Sequence, residues 1–245
     1  MGNDFFRFKQ FSVRQGGAAM KVGVDSVLLG AWTCAAHAVR ILDVGAGTGL
    51  LALMMAQRYP DAAIDAVEID RAACQQAIEN ARNSPWSNRI RVICDDFIQY
   101  AGDCSLRYDL IISNPPYFTA SLKPVDAKRN IARHNDSLPH FSLLEGSAKL
   151  LSSNGVMAIV LPPVEALKII DEAAVYGLFV KRTLHVQSLP SKPVYRMLVE
   201  FSKMPFLSWR DGVGEGGQTL CIEKADSSGQ TDEYKQLTKE FYLDK

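Results

Sequence analysis

The chain has 245 residues, 47% of them apolar and 22% charged, with 27 basic side chains against 27 acidic ones. This is the balance of an ordinary globular protein, and the length excludes a fold that needs disulfides or metals to make up for a small core. A formal net charge of zero gives no global attraction for nucleic acid, so any polyanion site has to be a local patch.

The N-terminus, Met1-Gly2-Asn3-Asp4-Phe5-Phe6, lacks the apolar run of a signal peptide. It opens like a myristoylation signal, but Phe6 stands where Ser or Thr is needed. The longest apolar stretch, Val24 to Val39, is broken by Asp25 and His37 and is too short to span a bilayer. A cytoplasmic enzyme without membrane association is therefore expected, with a monomer favoured. Residues 1–39 form an extension whose Phe5, Phe6, Phe8 and Phe11 must pack somewhere.

From residue 40 the pattern becomes regular. Arg40 to Val44 reads as a buried parallel strand, Gly49 to Arg58 as a helix that Pro60 ends, Ala63 to Ile69 as a strand and Arg71 to Asn83 as a helix. Arg89 to Cys94 alternates basic and apolar residues, and Tyr108 to Ser113 is a third apolar strand run. After a long polar segment come a helix over His140 to Leu151, a strand over Gly155 to Leu161 and a helix over Pro163 to Tyr176. Leu178 to Leu189 and Pro193 to Ser202 read as a closing pair of strands. Alternation of this kind gives an open, mostly parallel α/β sheet with helices on both faces, and the final pair suggests an antiparallel edge strand. The core thus spans residues 40–204. A tail, 205–245, carries the glycine-rich stretch 212–217 and ends in an expected amphipathic helix over Asp232 to Leu243.

The five cysteines, at 34, 74, 94, 104 and 221, are odd in number and lack a CxxC pair, which reads as buried free thiols. Four histidines, none at ligand spacing to a cysteine, give no metal site.

Asp43-Val44-Gly45-Ala46-Gly47-Thr48-Gly49 follows the first core strand and opens the first core helix. Glycines there let a backbone approach a ligand closely, and the helix start presents unpaired N–H groups. The dinucleotide fingerprint is GxGxxG, but here the third glycine falls one residue early and an acid, Asp43, precedes the loop. A carboxylate is unwelcome beside pyrophosphate and suits a cationic ligand, where it can pair with the ammonium of an amino-acid moiety. Glu68, at the end of the next strand, can accept from both hydroxyls of a ribose. Asp96 and Phe97 stand where an adenine amino group would want an acceptor. Together these positions fit S-adenosylmethionine better than NAD.

Asn114-Pro115-Pro116-Tyr117 ends the third strand. Two prolines remove two backbone donors and keep the chain out of helix. What remains is acceptor-rich, namely the Asn114 side-chain oxygen and the Pro115 carbonyl, and it suits a ligand with two N–H donors such as an exocyclic amine or a primary amide. Tyr117 supplies a ring to stack on a flat group. The amino nitrogen of adenine is a poor nucleophile because its lone pair is delocalised. Accepting both of its hydrogens favours a more tetrahedral nitrogen, so that catalysis would rest on positioning and electrostatics.

With these residues in place, the core resembles the class I amino methyltransferases that carry an (Asn/Asp/Ser)-Pro-Pro-(Tyr/Phe/Trp) signature. Phe8-Lys9-Gln10-Phe11, the stretch Met20 to Trp32 and the closing Glu240-Phe241-Tyr242-Leu243 narrow the resemblance to the bacterial tRNA(Val) (adenine-37-N6)-methyltransferases, over nearly the whole chain. The resemblance implies a Rossmann-like, seven-stranded, mostly parallel sheet, S-adenosylmethionine as cofactor and a tRNA substrate. It also implies that Lys21 and Asp25 close over the cofactor while Trp32 belongs to the core. The glycine stretch 212–217 departs from the family and looks like an insertion.

A tRNA needs local charge, and residues 118–135 contain Lys123, Lys128, Arg129 and Arg133 against the single acid Asp126, with His134 beside them. They follow the acceptor motif directly, within reach of phosphates flanking a base in the site. The tail, with five basic and eight acidic residues over 205–245, is a poor RNA arm. An anticodon loop presents an unpaired base at little cost. The nearest rival acceptor is a glutamine side-chain amide in a release factor, which has the same two-donor planar geometry; the short N-terminal segment argues against it. DNA adenine methylation wants a target-recognition domain, and rRNA guanine methylation more often goes with Phe at the place of Tyr117. A noncatalytic cofactor-binding RNA chaperone would tolerate an eroded loop or motif, and both are intact.

Overall fold

The computed structural model describes residues 4–16, 22–116, 138–205 and 217–243. The chain begins with a two-stranded antiparallel hairpin, β1 (Phe5–Arg7) and β2 (Ser12–Arg14), and then the helix α1 (Val24–Trp32). The core follows as β3 (Arg40–Val44), α2 (Leu50–Arg58), β4 (Ala63–Glu68), α3 (Arg71–Arg82), β5 (Ile90–Cys94), α4 (Phe97–Asp103) and β6 (Tyr108–Ser113). It continues with α5 (His140–Leu150), β7 (Leu151–Leu161), α6 (Pro163–Ala173), β8 (Phe179–Gln187) and β9 (Arg196–Ser202). The tail adds β10 (Gln218–Cys221) and α7 (Asp232–Thr238).

The main sheet has the order β10-β8-β9-β7-β6-β3-β4-β5. Successive residues of its strands alternate between the two faces. Ile41, Leu110, Ile112, Ala158 and Val160 pack with α1, α2 and α3, whereas Leu42, Val44, Ile111, Met157 and Ile159 pack with α4, α5 and α6. Both faces are therefore buried, as a parallel sheet crossed by helices requires.

Two features of the sheet differ from the sequence reading. Among the described residues the main sheet has eight strands rather than seven, because the tail returns and lays β10 parallel along β8, with Leu220 buried. The antiparallel strand is β9, and it lies inside the sheet between β7 and β8 rather than at the edge. The chain leaving β7 through α6 steps over one strand position, and the β8–β9 hairpin then fills it. The terminal helix also stops at Thr238, short of Leu243. The backbone N–H of Lys9 takes the Phe241 carbonyl at 2.8 Å, and Phe8 lies 6.0 Å from Tyr242 in a stacked arrangement. Phe6, Phe8 and Phe11 thus pack against the closing residues and Trp86, while Phe5 is half-exposed beneath Arg14.

The cysteines also depart from expectation. Cys74, in α3, and Cys94, at the tip of β5, are joined by a disulfide with a Cα–Cα distance of 5.7 Å, and Cys34 is exposed. Packing of α3 on β5 brings together two residues 20 positions apart, which no spacing motif announces. Among the described residues no group of three or more His, Cys, Asp or Glu side chains could hold a metal ion, and no helix is long and apolar enough to cross a membrane.

Glu200 in β9 is completely buried, and Arg182 of β8 holds both its oxygens at 2.7 Å, through Nε and Nη2. The same carboxylate accepts from the Cys34 amide at 2.8 Å, and the Arg182 guanidinium lies 4.1 Å above the Trp32 ring. The C-terminal end of α1 is thereby fastened to the sheet.

Candidate functional site

In an open parallel sheet ligands gather at the carboxyl ends of the strands, where the order reverses. Here that place is the tip of β3, flanked by β4 and β6. Gly45, Gly47 and Gly49 all have positive φ, at 69°, 55° and 80°. A Cβ built on Gly45 or Gly47 would meet nothing within 4 Å, so both line open space. On Gly49 it would lie 3.3 Å from the Cβ of Ala77, so this third glycine serves the close approach of α3.

Asp43 is fully buried under the loop. Its Oδ2 accepts from the Ala52 amide in the first turn of α2 at 3.0 Å, and its Oδ1 has no hydrogen-bond partner among the described residues. Burial is the main reason its pKa is pushed up to about 7; the Ala52 bond opposes the shift and the charge of Glu68 adds to it. Glu68 accepts from the Gly47 amide at 2.7 Å and from the Asp70 amide at 2.8 Å. Two carboxylates thus meet at one end of a loop that also presents open glycine backbone. The orphaned oxygen and the concentrated negative charge fit a ligand that is both cationic and rich in donors, as S-adenosylmethionine is.

Asp96 and Asp95 follow β5. Asp96 caps α4, its Oδ1 accepting from Ile98 at 2.6 Å, while Asp95 is exposed and takes the Asp96 amide at 2.8 Å. Phe97 is buried, and a Cβ on Gly146 of α5 would sit 2.6 Å from its ring. The ring therefore packs against α5 beneath the loop, directly after the Asp96 cap.

Asn114 and Pro115 stand at the end of β6, which runs beside β3. The Ser113 hydroxyl donates to the Val44 carbonyl at 2.8 Å and ties the two strand tips together. The Asn114 side chain donates through Nδ2 to the Oγ of Ser26 in α1 at 2.8 Å. Asp25, next to it, is held by Arg196 at the start of β9, with Nε 2.7 Å from Oδ2. Neither Ser26 nor Arg196 is visible as a site residue in the sequence, since their partners lie 88 and 171 positions away. The hairpin is tied in as well, because Asn80 of α3 donates to both the Arg14 and Thr48 carbonyls at 2.9 Å. Lys21, Tyr117 and the basic set Lys123, Lys128, Arg129, Arg133 and His134 lie outside the described residues.

This geometry has known counterparts. A family model described as the methyltransferase small domain matches residues 20–168. A protein of Bacteroides fragilis named tRNA1(Val) (adenine(37)-N6)-methyltransferase is 46% identical over 99% of both chains. A protein of the same name from Trichodesmium erythraeum is 44% identical, again over 99% of each. Among solved structures, one described as a predicted O-methyltransferase from Agrobacterium tumefaciens superposes with a TM-score of 0.64, covering 89% of this chain and 96% of that one. At 20% identity that last likeness is one of fold alone. A glycine loop with acids at two strand tips, a family model over more than half the sequence and relatives alike from end to end give one result: the chain belongs to the methyltransferase small domain family.

Proposed function

We propose that this protein transfers a methyl group from S-adenosylmethionine to the exocyclic N6 of an adenine in tRNA, next to the anticodon of tRNA(Val). The observation that carries the chemistry is the position of Asn114 and Pro115 just past the end of β6, beside the acid-lined loop of β3. The substrate follows from the likeness to relatives of that name at 44–46% identity over almost their whole length.

Bound S-adenosylmethionine supplies a methyl group activated on a sulfonium. Asp43 pairs with its ammonium end, the glycine backbone admits it, and Glu68 accepts from the ribose hydroxyls. Asp96 takes the adenine end, from a position fixed by its capping bonds. On the acceptor side, Asn114 Oδ1 and the Pro115 carbonyl accept the two N6 hydrogens, and Tyr117 stacks on the base. The amine needs no strong base before transfer, so the residues act by placement and by their dipoles. Lys123, Lys128, Arg129, Arg133 and His134 hold phosphates around the extruded nucleotide.

Residues 1–39 act as an extension that packs on the core and closes over the cofactor through Lys21 and Asp25. Residues 40–204 form the catalytic core, and 205–245 form a tail that braces the extension. The enzyme works in the cytoplasm, as a monomer and without a metal. The test is labelled methyl transfer into bulk tRNA from a strain lacking the gene, followed by nucleoside analysis. Label in N6-methyladenosine is expected; label in protein, or in no RNA, would overturn the tRNA substrate.

A further inference from the structure

We infer that Ser26 is a positioning residue for methyl transfer, holding the side-chain amide of Asn114 in place at the end of β6, where the acceptor amine is proposed to bind. The inference rests on the acceptor role proposed for Asn114. An asparagine amide has an oxygen that accepts and a nitrogen that only donates, and half a turn about its last bond exchanges them. For an amine that presents two N–H groups, the first orientation binds and the second repels. A strand-end asparagine that must accept therefore needs a neighbour that holds its amide in place, and a hydroxyl can do so through either of its roles.

Ser26 does so at 2.8 Å, from the first turn of α1. The backbone under Asn114 is fixed independently, because the neighbouring Ser113 hydroxyl is bonded to the Val44 carbonyl at 2.8 Å inside the core. The serine has its own anchors on both sides. The adjacent Asp25 is paired with Arg196 of β9 at 2.7 Å, with both side chains about three-quarters or more buried. From Val27 to Trp32 α1 is buried, and the Arg182–Glu200 pair fastens its far end. A chain of contacts thus runs from β9 through α1 to the end of β6, spanning the tip of β7. Helix α1 is then more than packing for the sheet, since its first turn holds the side chain proposed to receive the substrate.

The experiment compares Ser26→Ala and Ser26→Thr. Ser26→Ala should lower kcat at saturating tRNA about tenfold, the scale of one neutral hydrogen bond, while Kd for S-adenosylmethionine and Tm stay close to the parent. Ser26→Thr keeps the hydroxyl and should restore most of the rate. In 15N-labelled protein the Asn114 side-chain NH₂ should exchange with solvent slowly in the parent and in Ser26→Thr, and quickly in Ser26→Ala. Parental kcat in Ser26→Ala would overturn the inference. So would a loss that Thr does not restore, or one matched by equal losses in cofactor affinity and Tm, because each describes packing. The amide-exchange readout needs no substrate, so it separates failure of this inference from failure of the tRNA assignment, which unlabelled tRNA with the parent enzyme would report.

Discussion

The amide of Gly47 donates to Oε2 of Glu68 at 2.7 Å, so the acid at the tip of β4 is built into the loop that follows β3. The other oxygen is engaged by the Asp70 amide, which fixes the carboxylate plane with lone pairs left for further donors. Ligand recognition and loop shape are therefore coupled through one side chain.

Replacing Glu68 by Ala should weaken S-adenosylmethionine binding by roughly 10- to 100-fold, the scale for hydrogen bonds to a charged group. Glu68→Gln should fall between, since one oxygen survives to accept. Calorimetric titration of the two variants measures this, and equal affinity across the series would remove Glu68 from the cofactor site.

Asp43 makes both stability and binding depend on pH. Its folded pKa of about 7 lies above that of an ordinary aspartate, so between roughly pH 4 and 7 the folded state holds a proton that the unfolded state releases. This group's contribution to ligand-free stability is thus largest at acid pH and is lost as the pH rises through that window. A cationic ligand prefers the ionised carboxylate, so Kd for S-adenosylmethionine should tighten with rising pH, by at most tenfold per unit, and level off above about pH 7. Asp43→Asn should flatten both profiles. A parental slope in that variant would assign the titration elsewhere.

Asn114→Ala should leave the cofactor Kd nearly unchanged and lower kcat by about two to three orders of magnitude, the range for removing one preorganised electrostatic partner. Equal loss of binding and turnover, measured side by side, would contradict the acceptor role.

Glu200 predicts a stability effect rather than a catalytic one. Glu200→Ala takes the carboxylate from Arg182, which is about one-third exposed and keeps its bond to the Trp32 carbonyl, and leaves the Cys34 amide without its acceptor, at a cost of about 1–3 kcal/mol. Chemical denaturation of the variant should show that loss, and a change below about 1 kcal/mol would mean that water replaces the carboxylate.

Much of this architecture is legible in the sequence because parallel strands buried on both faces are short apolar runs. Arg40 to Val44 and Tyr108 to Ser113 fall where the runs place them. The glycine loop and the Asn-Pro-Pro turn are legible for a related reason, since residues with unusual backbone demands announce themselves. Elements whose pattern is weak are not legible. Helix α4 carries Gly102 and only two buried residues in seven, so the packing of the Phe97 ring against α5 has no local signal in the sequence. Strand β10 is four residues long and follows a glycine-rich stretch, so nothing local marks it as the eighth strand. The contacts of Ser26 with Asn114 and of Asp25 with Arg196 join residues far apart in the chain, and only the folded sheet brings them together.

The most direct measurement is methylation of unmodified tRNA(Val) transcripts by the purified protein, with nucleoside mass spectrometry of the product. N6-methyladenosine should appear in the parent transcript, and none when the adenine next to the anticodon is replaced by guanine. Equal label in both transcripts, or label only in an added release factor, would contradict it.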